Sequence, residues 1–188
     1  MLHCYITDRR SLPAGVALID NIASNLTAGI EWVQIREKDL SARELFELTR
    51  QVLSLPNPWG SKILVNTRVD VALANGAAGA HLPAGSPPPS LWRPFTPPGF
   101  LIGVSCHTLD EVRAAQDQSA DYAVFGPVFP PRSKAAGLEP RRIEGLAQAV
   151  RAVNIPVLAL GGISATNAKD CIAAGAAGIA AISLYQSC

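Results

Sequence analysis

The run Gln34-Ile35-Arg36-Glu37-Lys38-Asp39 brings together side chains that could bind an anion. If the strand that ends here continues through the run, alternation places Gln34, Arg36 and Lys38 on one side of the backbone. Arginine offers a bidentate fork and lysine a mobile point charge, so the trio suits an anionic substrate. The alternative is a solvated charged turn whose two acidic residues pair with the cations. The position at the end of a predicted strand favours the anion-binding interpretation.

A second candidate anion site is the pair Gly161-Gly162, which joins an apolar run to a helix predicted to begin near Ser164. Glycines let backbone amides approach a ligand closely, and a helix start adds the positive end of its dipole. Ser183 follows the last predicted strand and could complete the site. A Gly-Gly pair alone is weak evidence, but its place between a strand and a helix predicts phosphate binding.

The histidines differ in where they lie relative to the predicted strands. His107 follows the fifth strand, together with Ser105, and is the candidate general base because imidazole side chains ordinarily titrate near neutrality. His81 lies within a strand, where a packed, hydrogen-bonded histidine is more usual. His3 begins the first strand, at the opposite end.

These residues need a scaffold, and the sequence repeats one junction in which a helix end is followed at once by a short apolar strand. A glycine stands at three of the four helix ends, where a left-handed residue is needed, and the junctions begin at Ala28-Gly29, Asn75-Gly76, Ser119-Ala120 and Ala174-Gly175. With four further apolar runs, eight strand candidates alternate with helices. Such alternation predicts parallel pairing and right-handed crossovers. We therefore expect one domain over residues 1–188, a single (β/α)8 TIM barrel whose eighth helix is short or missing; an open doubly wound sheet is the alternative.

Two helix starts and two long loops complete this outline. Ser41 and Thr108 each stand three residues before a glutamate, which is the spacing of a capping box. Residues 83–99 are rich in proline and are predicted to form a long irregular loop. In the loop after the sixth strand, Ser133 and Lys134 could close over a phosphate with the neighbouring arginine, although a basic surface loop is an equal alternative.

Composition excludes several classes of protein. Hydrophobic residues make up 48% of the chain and charged residues 16%, which excludes a disordered chain. The formal net charge of +1 and the lack of a long apolar run predict neither a nucleic-acid partner nor a membrane span. Four scattered cysteines without a CxxC pair disfavour a zinc site. We expect a cytoplasmic protein with a small-molecule partner, and the sequence leaves a homo-oligomer open.

Several motifs, taken in order, resemble the thiamine phosphate synthase/TenI superfamily over nearly the whole chain. They are Gln34-Ile35-Arg36-Glu37-Lys38-Asp39, Asn66-Thr67-Arg68-Val69-Asp70, Gly103-Val104-Ser105-Cys106-His107, Gly126-Pro127-Val128-Phe129-Pro130 and Leu160-Gly161-Gly162-Ile163. Members are (β/α)8 barrels of thiamine assembly. The synthase branch joins a hydroxymethylpyrimidine diphosphate to a thiazole phosphate using magnesium, and the tautomerase branch isomerises a thiazole phosphate carboxylate without metal. The resemblance implies a phosphorylated thiazole-type substrate, with Asn66 and Ser105 among the residues that bind it.

The sequence departs from both branches. Thr67 and the run Pro83-Ala84-Gly85-Ser86 stand where the synthase pattern carries the two aspartates that hold magnesium. Magnesium commonly needs one or two carboxylates, so we expect no metal and no other cofactor, with magnesium required only under the synthase alternative. The same run resembles the tautomerase branch. Pro127, however, stands where that branch places its proton-shuttling histidine.

We therefore expect a metal-independent thiazole tautomerase. Gly162 and Ser183 would hold the phosphate, Arg36 and Lys38 would lie near the carboxylate, and His107 would act as the base. One alternative is thiamine phosphate synthase, a magnesium-dependent transferase. The other is a non-catalytic phosphate-binding or regulatory protein.

Overall fold

Eight parallel strands close into a barrel in a computed structural model, which describes residues 1–130 and 139–186. Each strand pairs with the next along the chain, and the last pairs with the first, with Leu2 opposite Gly178. The strands are β1 (Leu2–Ile6), β2 (Trp32–Ile35), β3 (Lys62–Asn66), β4 (Gly79–Leu82), β5 (Leu101–Cys106), β6 (Tyr122–Phe125), β7 (Val157–Leu160) and β8 (Gly178–Ala181).

A helix lies between each pair of consecutive strands. The helices are α1 (Leu18–Thr27), α2 (Ala42–Leu53), α3 (Val69–Asn75), α4 (Pro89–Trp92), α5 (Leu109–Asp117), α6 (Arg142–Arg151) and α7 (Ala168–Ala173). This confirms the predicted (β/α)8 barrel. In the described ranges no helix is long and apolar enough to cross a membrane.

The repeated junction works as the sequence predicts. Gly29, Gly76 and Gly175 have φ of 87°, 68° and 96°, and the next strand begins three residues after each of them. The fourth junction has no glycine, and there Ser119 adopts the same left-handed conformation with φ of 67°. The same type of backbone turn, with a left-handed residue, therefore precedes four of the eight strands.

Helix α2 and helix α5 begin with the predicted capping boxes. Ser41 and Thr108 each accept a hydrogen bond from the backbone of the glutamate three residues on, and each glutamate bonds back. The prediction for residues 83–99 was wrong in part, because α4 and a 3-10 turn at Arg93–Phe95 form inside this segment. Pro89 opens α4 at a position where a backbone N–H has no helical partner to lose.

The inside of the barrel is filled by side chains. The buried residues there include Cys4, Ile6, Leu64, Tyr122, Val124, Leu158 and Ala180. The Tyr122 ring lies over Gly103, where an added Cβ would come within 1.9 Å of a ring carbon. Two larger clusters fill the space between the barrel and its helices. The interior of the barrel is thus filled.

Within the described residues, β8 is followed by a single 3-10 turn at Ser183–Tyr185. Gln186 then lies buried against the loop after β1, where it donates a hydrogen bond to the Asp8 carbonyl (2.8 Å) and accepts one from Ser11 Oγ (2.7 Å). Asn25 donates to the Tyr185 carbonyl at 3.0 Å. These bonds connect the segment after β8 to the loop after β1 and to α1.

Candidate functional site

The residues singled out from the sequence lie on one face of the barrel. Parallel strands of a closed barrel present their carboxyl ends together, and the loops after them form the active face. Residues 34–38 and 66 end or follow β2 and β3, residues 105–107 end or follow β5, and residues 161, 162 and 183 follow β7 and β8. Ser133 and Lys134 lie outside the described residues.

The acidic residues of the 34–39 run pair with the loop after β1. The buried Glu37 carboxylate accepts a hydrogen bond from Thr7 Oγ1 at 2.6 Å and one from Arg9 Nη1 at 3.0 Å. Arg9 also contacts Asp39 at 2.5 Å, and this hydrogen bond lowers the pKa of the Asp39 carboxyl. No carboxylate in the described ranges forms an ion pair with Arg36 or Lys38. The alternative of a self-neutralised charged turn is therefore wrong, and both cations remain available to an anion.

Gln34 and Asn66 join β2 to β3 inside the mouth of the barrel. Gln34 Nε2 donates to Asn66 Oδ1 at 2.9 Å, and Asn66 Nδ2 donates to Thr67 Oγ1 at 2.8 Å. Gln34 is 2% exposed, and its Oε1 finds no hydrogen-bond donor in the described part of the chain. A buried acceptor without a partner costs about 1–3 kcal/mol, so this oxygen suits an N–H group of a ligand.

His81 is the packed, hydrogen-bonded histidine that its place in a strand predicts. Its Nε2 contacts Ser105 Oγ at 2.8 Å and its Nδ1 contacts the Tyr122 hydroxyl at 3.2 Å. Burial and, to a lesser degree, the positive charge of Arg36 together lower the pKa of His81 to about 3. The ring is therefore neutral near pH 7, and it holds the Ser105 hydroxyl at the end of β5.

A pocket of about 370 Å³ opens where β7 and β8 end. Gly161, Gly162 and Ser183, the residues predicted to bind phosphate, line it together with Asp8 and Ser11. The helix expected near Ser164 begins only at Ala168, so that expectation was wrong. The reason is a local loop, in which the Asn167 side chain accepts from the Ser164 N–H (2.8 Å) and donates to the Gly162 carbonyl (2.9 Å).

The two glycines of this pocket also have a packing role that the sequence did not reveal. Gly161 and Gly162 adopt φ of 95° and 62°. An added Cβ would come within 2.5 Å of Pro127 Cβ at the first position and 2.6 Å of the Pro130 carbonyl oxygen at the second. The loop after β6 therefore packs directly on the pocket wall, which only glycine permits.

Another pocket of about 370 Å³ lies at the ends of β2, β3 and β4. Lys38, Asn66, Thr67 and Arg68 line it. Thr67 adopts φ of 67°, and the Arg68 N–H donates to the Asn66 carbonyl at 2.7 Å, which closes a γ-turn around Thr67. Sequence reasoning missed Arg68, although its place two residues after the end of β3 was a signal.

The ends of β3 and β4 do not offer a magnesium site of the kind the family resemblance implies. Thr67 supplies a hydroxyl and residues 83–86 supply no carboxylate. Asp70, the nearest carboxylate in sequence, binds the Arg68 guanidinium through both oxygens. Across the described ranges, no group of three or more His, Cys, Asp or Glu residues could hold a metal ion. The residues present do not fit the two-carboxylate ligand set.

The candidate base, His107, lies apart from both pockets. Its Nδ1 contacts the Gly126 carbonyl at 2.5 Å, and since a carbonyl only accepts, this nitrogen carries the proton. His107 is not among the residues that line either pocket. Cys106 beside it is buried, and burial raises the pKa of its thiol to about 12, so a packing role suits this residue better than that of a nucleophile.

Comparison with known proteins gives a consistent set of similarities. A profile of the family described as thiamine monophosphate synthase matches residues 3–184. A Geobacter sulfurreducens protein named "Putative thiamine-phosphate synthase" is 47% identical over 178 residues, which are 95% of this chain and 83% of that protein. The thiamine-phosphate synthase of Chlorobium luteolum is 39% identical, over 96% of this chain and 82% of its own length. The structure of thiamine phosphate pyrophosphorylase from Pyrococcus furiosus matches with a TM-score of 0.87 at 33% identity, over 99% of this chain and 88% of that one.

These similarities correct two expectations. The relatives support a role in thiamine biosynthesis, but their names do not support the tautomerase branch or an isomerase. The expectation of no cofactor was wrong, because it depended on the tautomerase interpretation, whereas the relatives are named as synthases and the synthase branch uses magnesium.

Proposed function

The chain belongs to the thiamine monophosphate synthase family, and we propose that it is a transferase that joins a pyrimidine diphosphate to a thiazole phosphate. The transfer breaks the bond between the pyrimidine-bearing group and diphosphate and forms a bond from that group to the thiazole. Diphosphate leaves with the electron pair of the broken bond. Such a reaction needs separate places for two anionic substrates.

The observation that carries this proposal is that the candidate anion-binding residues line two separate pockets on the active face. One lies at the ends of β2–β4 and the other at the ends of β7 and β8, and each measures about 370 Å³. A thiazole tautomerase would place the phosphate and the carboxylate of one substrate in these pockets, whereas the transferase would place one substrate in each. The relatives named as synthases favour the transferase.

We assign the diphosphate to the first pocket, which Lys38 and Asn66 line. Arg36 is not among the lining residues, but its charge acts on His81 at the neighbouring end of β4, and we propose that it also contributes to this anion site. Guanidinium and ammonium groups together stabilise the negative charge that grows on a departing diphosphate. The unpaired Gln34 Oε1 would accept a hydrogen bond from an N–H of the pyrimidine. Ser105, which His81 holds in place, faces the same mouth of the barrel.

We assign the thiazole phosphate to the second pocket. Backbone N–H groups at Gly161 and Gly162 and the Ser183 hydroxyl are the donors for its oxygens. Ser133 and Lys134 remain proposed contacts to phosphate on the basis of the sequence alone. No step of the transfer requires the base that the tautomerase interpretation assigned to His107.

Magnesium, which the synthase branch uses, would neutralise the diphosphate when bound. The described residues at the ends of β3 and β4 do not form its carboxylate pair. We therefore derive no step through the metal, and the test of function includes it in the assay.

The test is condensation of the two substrates by the purified protein with added magnesium, followed by chromatography of thiamine phosphate. We expect Lys38→Met to lower kcat/KM by about 10–100-fold, because a hydrogen bond to a charged group contributes about 1.5–3 kcal/mol. Lys62→Met is the matched control, since Lys62 is also exposed but lies at the amino end of β3. Absence of product from the unmodified protein would overturn the proposed function, and equal losses in both variants would overturn the role of Lys38.

A further inference from the structure

Arg68 lies in the proposed diphosphate pocket but is bound to a neighbouring carboxylate. Its guanidinium donates to Asp70 through Nε, at 2.8 Å from Oδ1, and through Nη2 to Oδ2. Asp70 is in the first turn of α3, with 62% of its side chain exposed. An exposed ion pair of this kind contributes little to stability, so a stronger anion can replace the carboxylate.

The charges around this pocket favour such a replacement. Glu37 is the one carboxylate among the pocket-lining residues, and its oxygens are already bound by Thr7 and Arg9. Lys38 and Arg68 are the lining cations. Since Asp70 itself is not part of the lining, an anion that enters the pocket meets two positive charges and no unneutralised carboxylate.

The backbone before Arg68 is held in an uncommon conformation. Positive φ is rare for a β-branched residue such as Thr67, and residues held in this way are concentrated at functional sites. The Thr67 N–H donates to the His81 carbonyl at 2.8 Å, which fixes the turn against β4. This turn fixes the backbone position of Arg68 relative to the end of β3.

We propose that Arg68 is a diphosphate-binding residue which exchanges Asp70 for the oxygens of the diphosphate group. The same planar fork that now holds two carboxylate oxygens binds two phosphate oxygens. The family pattern places a metal-binding aspartate at the position of Thr67. Arg68, the next residue, thus supplies positive charge beside that position. This proposal rests on the proposed function for its substrate, but the binding of diphosphate can be measured separately.

The test is calorimetric titration of the purified protein with inorganic diphosphate in the absence of added metal. We expect Arg68→Gln to weaken binding about 10-fold or more, because the fork is lost. Asp70→Asn should strengthen binding several-fold, because it removes the competing carboxylate. The matched control is Arg113→Gln, which breaks another exposed Arg–Asp pair, with Asp110 on α5, and should leave binding unchanged.

The opposite signs of the two effects separate ligand binding from a structural role. If the pair only braces the start of α3, both variants lower the thermal midpoint and neither changes the affinity, which overturns the proposal. Failure of the unmodified protein to bind diphosphate overturns it as well. Condensation activity with normal diphosphate binding by Arg68→Gln would leave the proposed function standing and this inference wrong. Diphosphate binding that depends on Arg68, in a protein that does not condense the two substrates, would leave this inference standing and the proposed function wrong.

Discussion

His81 shows how a single side chain connects the barrel interior to the active face. Its ring touches the Tyr122 hydroxyl on one side and the Ser105 hydroxyl on the other, and it is 3% exposed. A protonated imidazole would add a buried charge beside the Arg36 guanidinium. The neutral ring avoids this repulsion, so both Arg36 and Ser105 depend on His81 staying unprotonated.

The stability of the protein should therefore fall with acid in a way that depends on His81. Burial lowers the pKa of His81 to about 3, whereas a histidine in the unfolded chain titrates near 6.5. Below about pH 6.5 the unfolded chain binds a proton that the folded chain does not, so the free energy of unfolding falls by up to about 1.4 kcal/mol per pH unit. Urea unfolding between pH 7.5 and 5 measures this slope.

The His81→Gln variant should lose most of that slope between pH 6.5 and 5, a range in which few carboxylates titrate. Ser105→Ala is the control, because it removes the partner of Nε2 and keeps the imidazole. Its slope should match that of the unmodified protein. An unchanged slope in His81→Gln would show that other groups bind the proton.

The residue types at the strand ends could be predicted from the sequence, but their partners could not. Alternation along a strand is local, but β2 ends at Ile35, so the pattern holds for Gln34, while Arg36 and Lys38 lie in the loop after the strand. The Glu37–Arg9 contact joins residues 28 apart in the chain and exists only because β1 and β2 are neighbours in the barrel. The sequence therefore left a self-paired turn as the alternative, because it does not show that Glu37 and Asp39 pair with Arg9 of the loop after β1.

At the scale of elements, the loop after β6 and the loop after β7 form one packed unit. The Val128 N–H donates to the Leu160 carbonyl at 2.8 Å, and the Phe129 N–H donates to the Gly161 carbonyl at 3.1 Å. Gly162 completes the contact by lying against Pro130. The wall of the second pocket is thus built from two loops at once, and a change in one displaces the other.

Gly162→Ala should destabilise the protein more than the loss of glycine freedom alone explains. Its Cβ would lie 2.6 Å from the Pro130 carbonyl oxygen, and such overpacking costs about 1–3 kcal/mol. Gly60→Ala is the matched control, since Gly60 has a similar φ of 68° and open space around its Cβ position. We expect the control to lose only about 1 kcal/mol, the cost of a left-handed alanine. Equal losses of unfolding free energy in urea would contradict the packing role.

The same contact explains why a larger residue at position 162 is not a clean test of phosphate binding. A leucine would displace the loop after β6 as well as block the backbone amides.

The sequence could predict the strand–Gly–Gly order, which is a local signal. It could not predict that the following helix begins at Ala168, because the Asn167 side chain closes a loop with Gly162 and Ser164 that competes with the helix.

At the scale of the whole molecule, the barrel must close between the first and last strands. Four residue pairs from Leu2–Gly178 to Tyr5–Ala181 form this seam. Gln186, just beyond it, bonds to the loop after β1, whose residues Asp8 and Ser11 also line the second pocket. Closure of the barrel and the shape of the proposed thiazole phosphate pocket are therefore coupled through one side chain.

Gln186→Ala should lower the free energy of unfolding by about 1–3 kcal/mol, because the Ser11 hydroxyl and the Asp8 carbonyl lose buried partners. The released loop should also weaken the binding of inorganic phosphate at the β7–β8 pocket, measured by calorimetry. Gln51→Ala on the exposed side of α2 is the matched control and should change stability by less than about 0.5 kcal/mol. If both variants unfold at the same urea concentration, the seam is held by the strand pairs alone. The last turn would then have no part in closing the barrel.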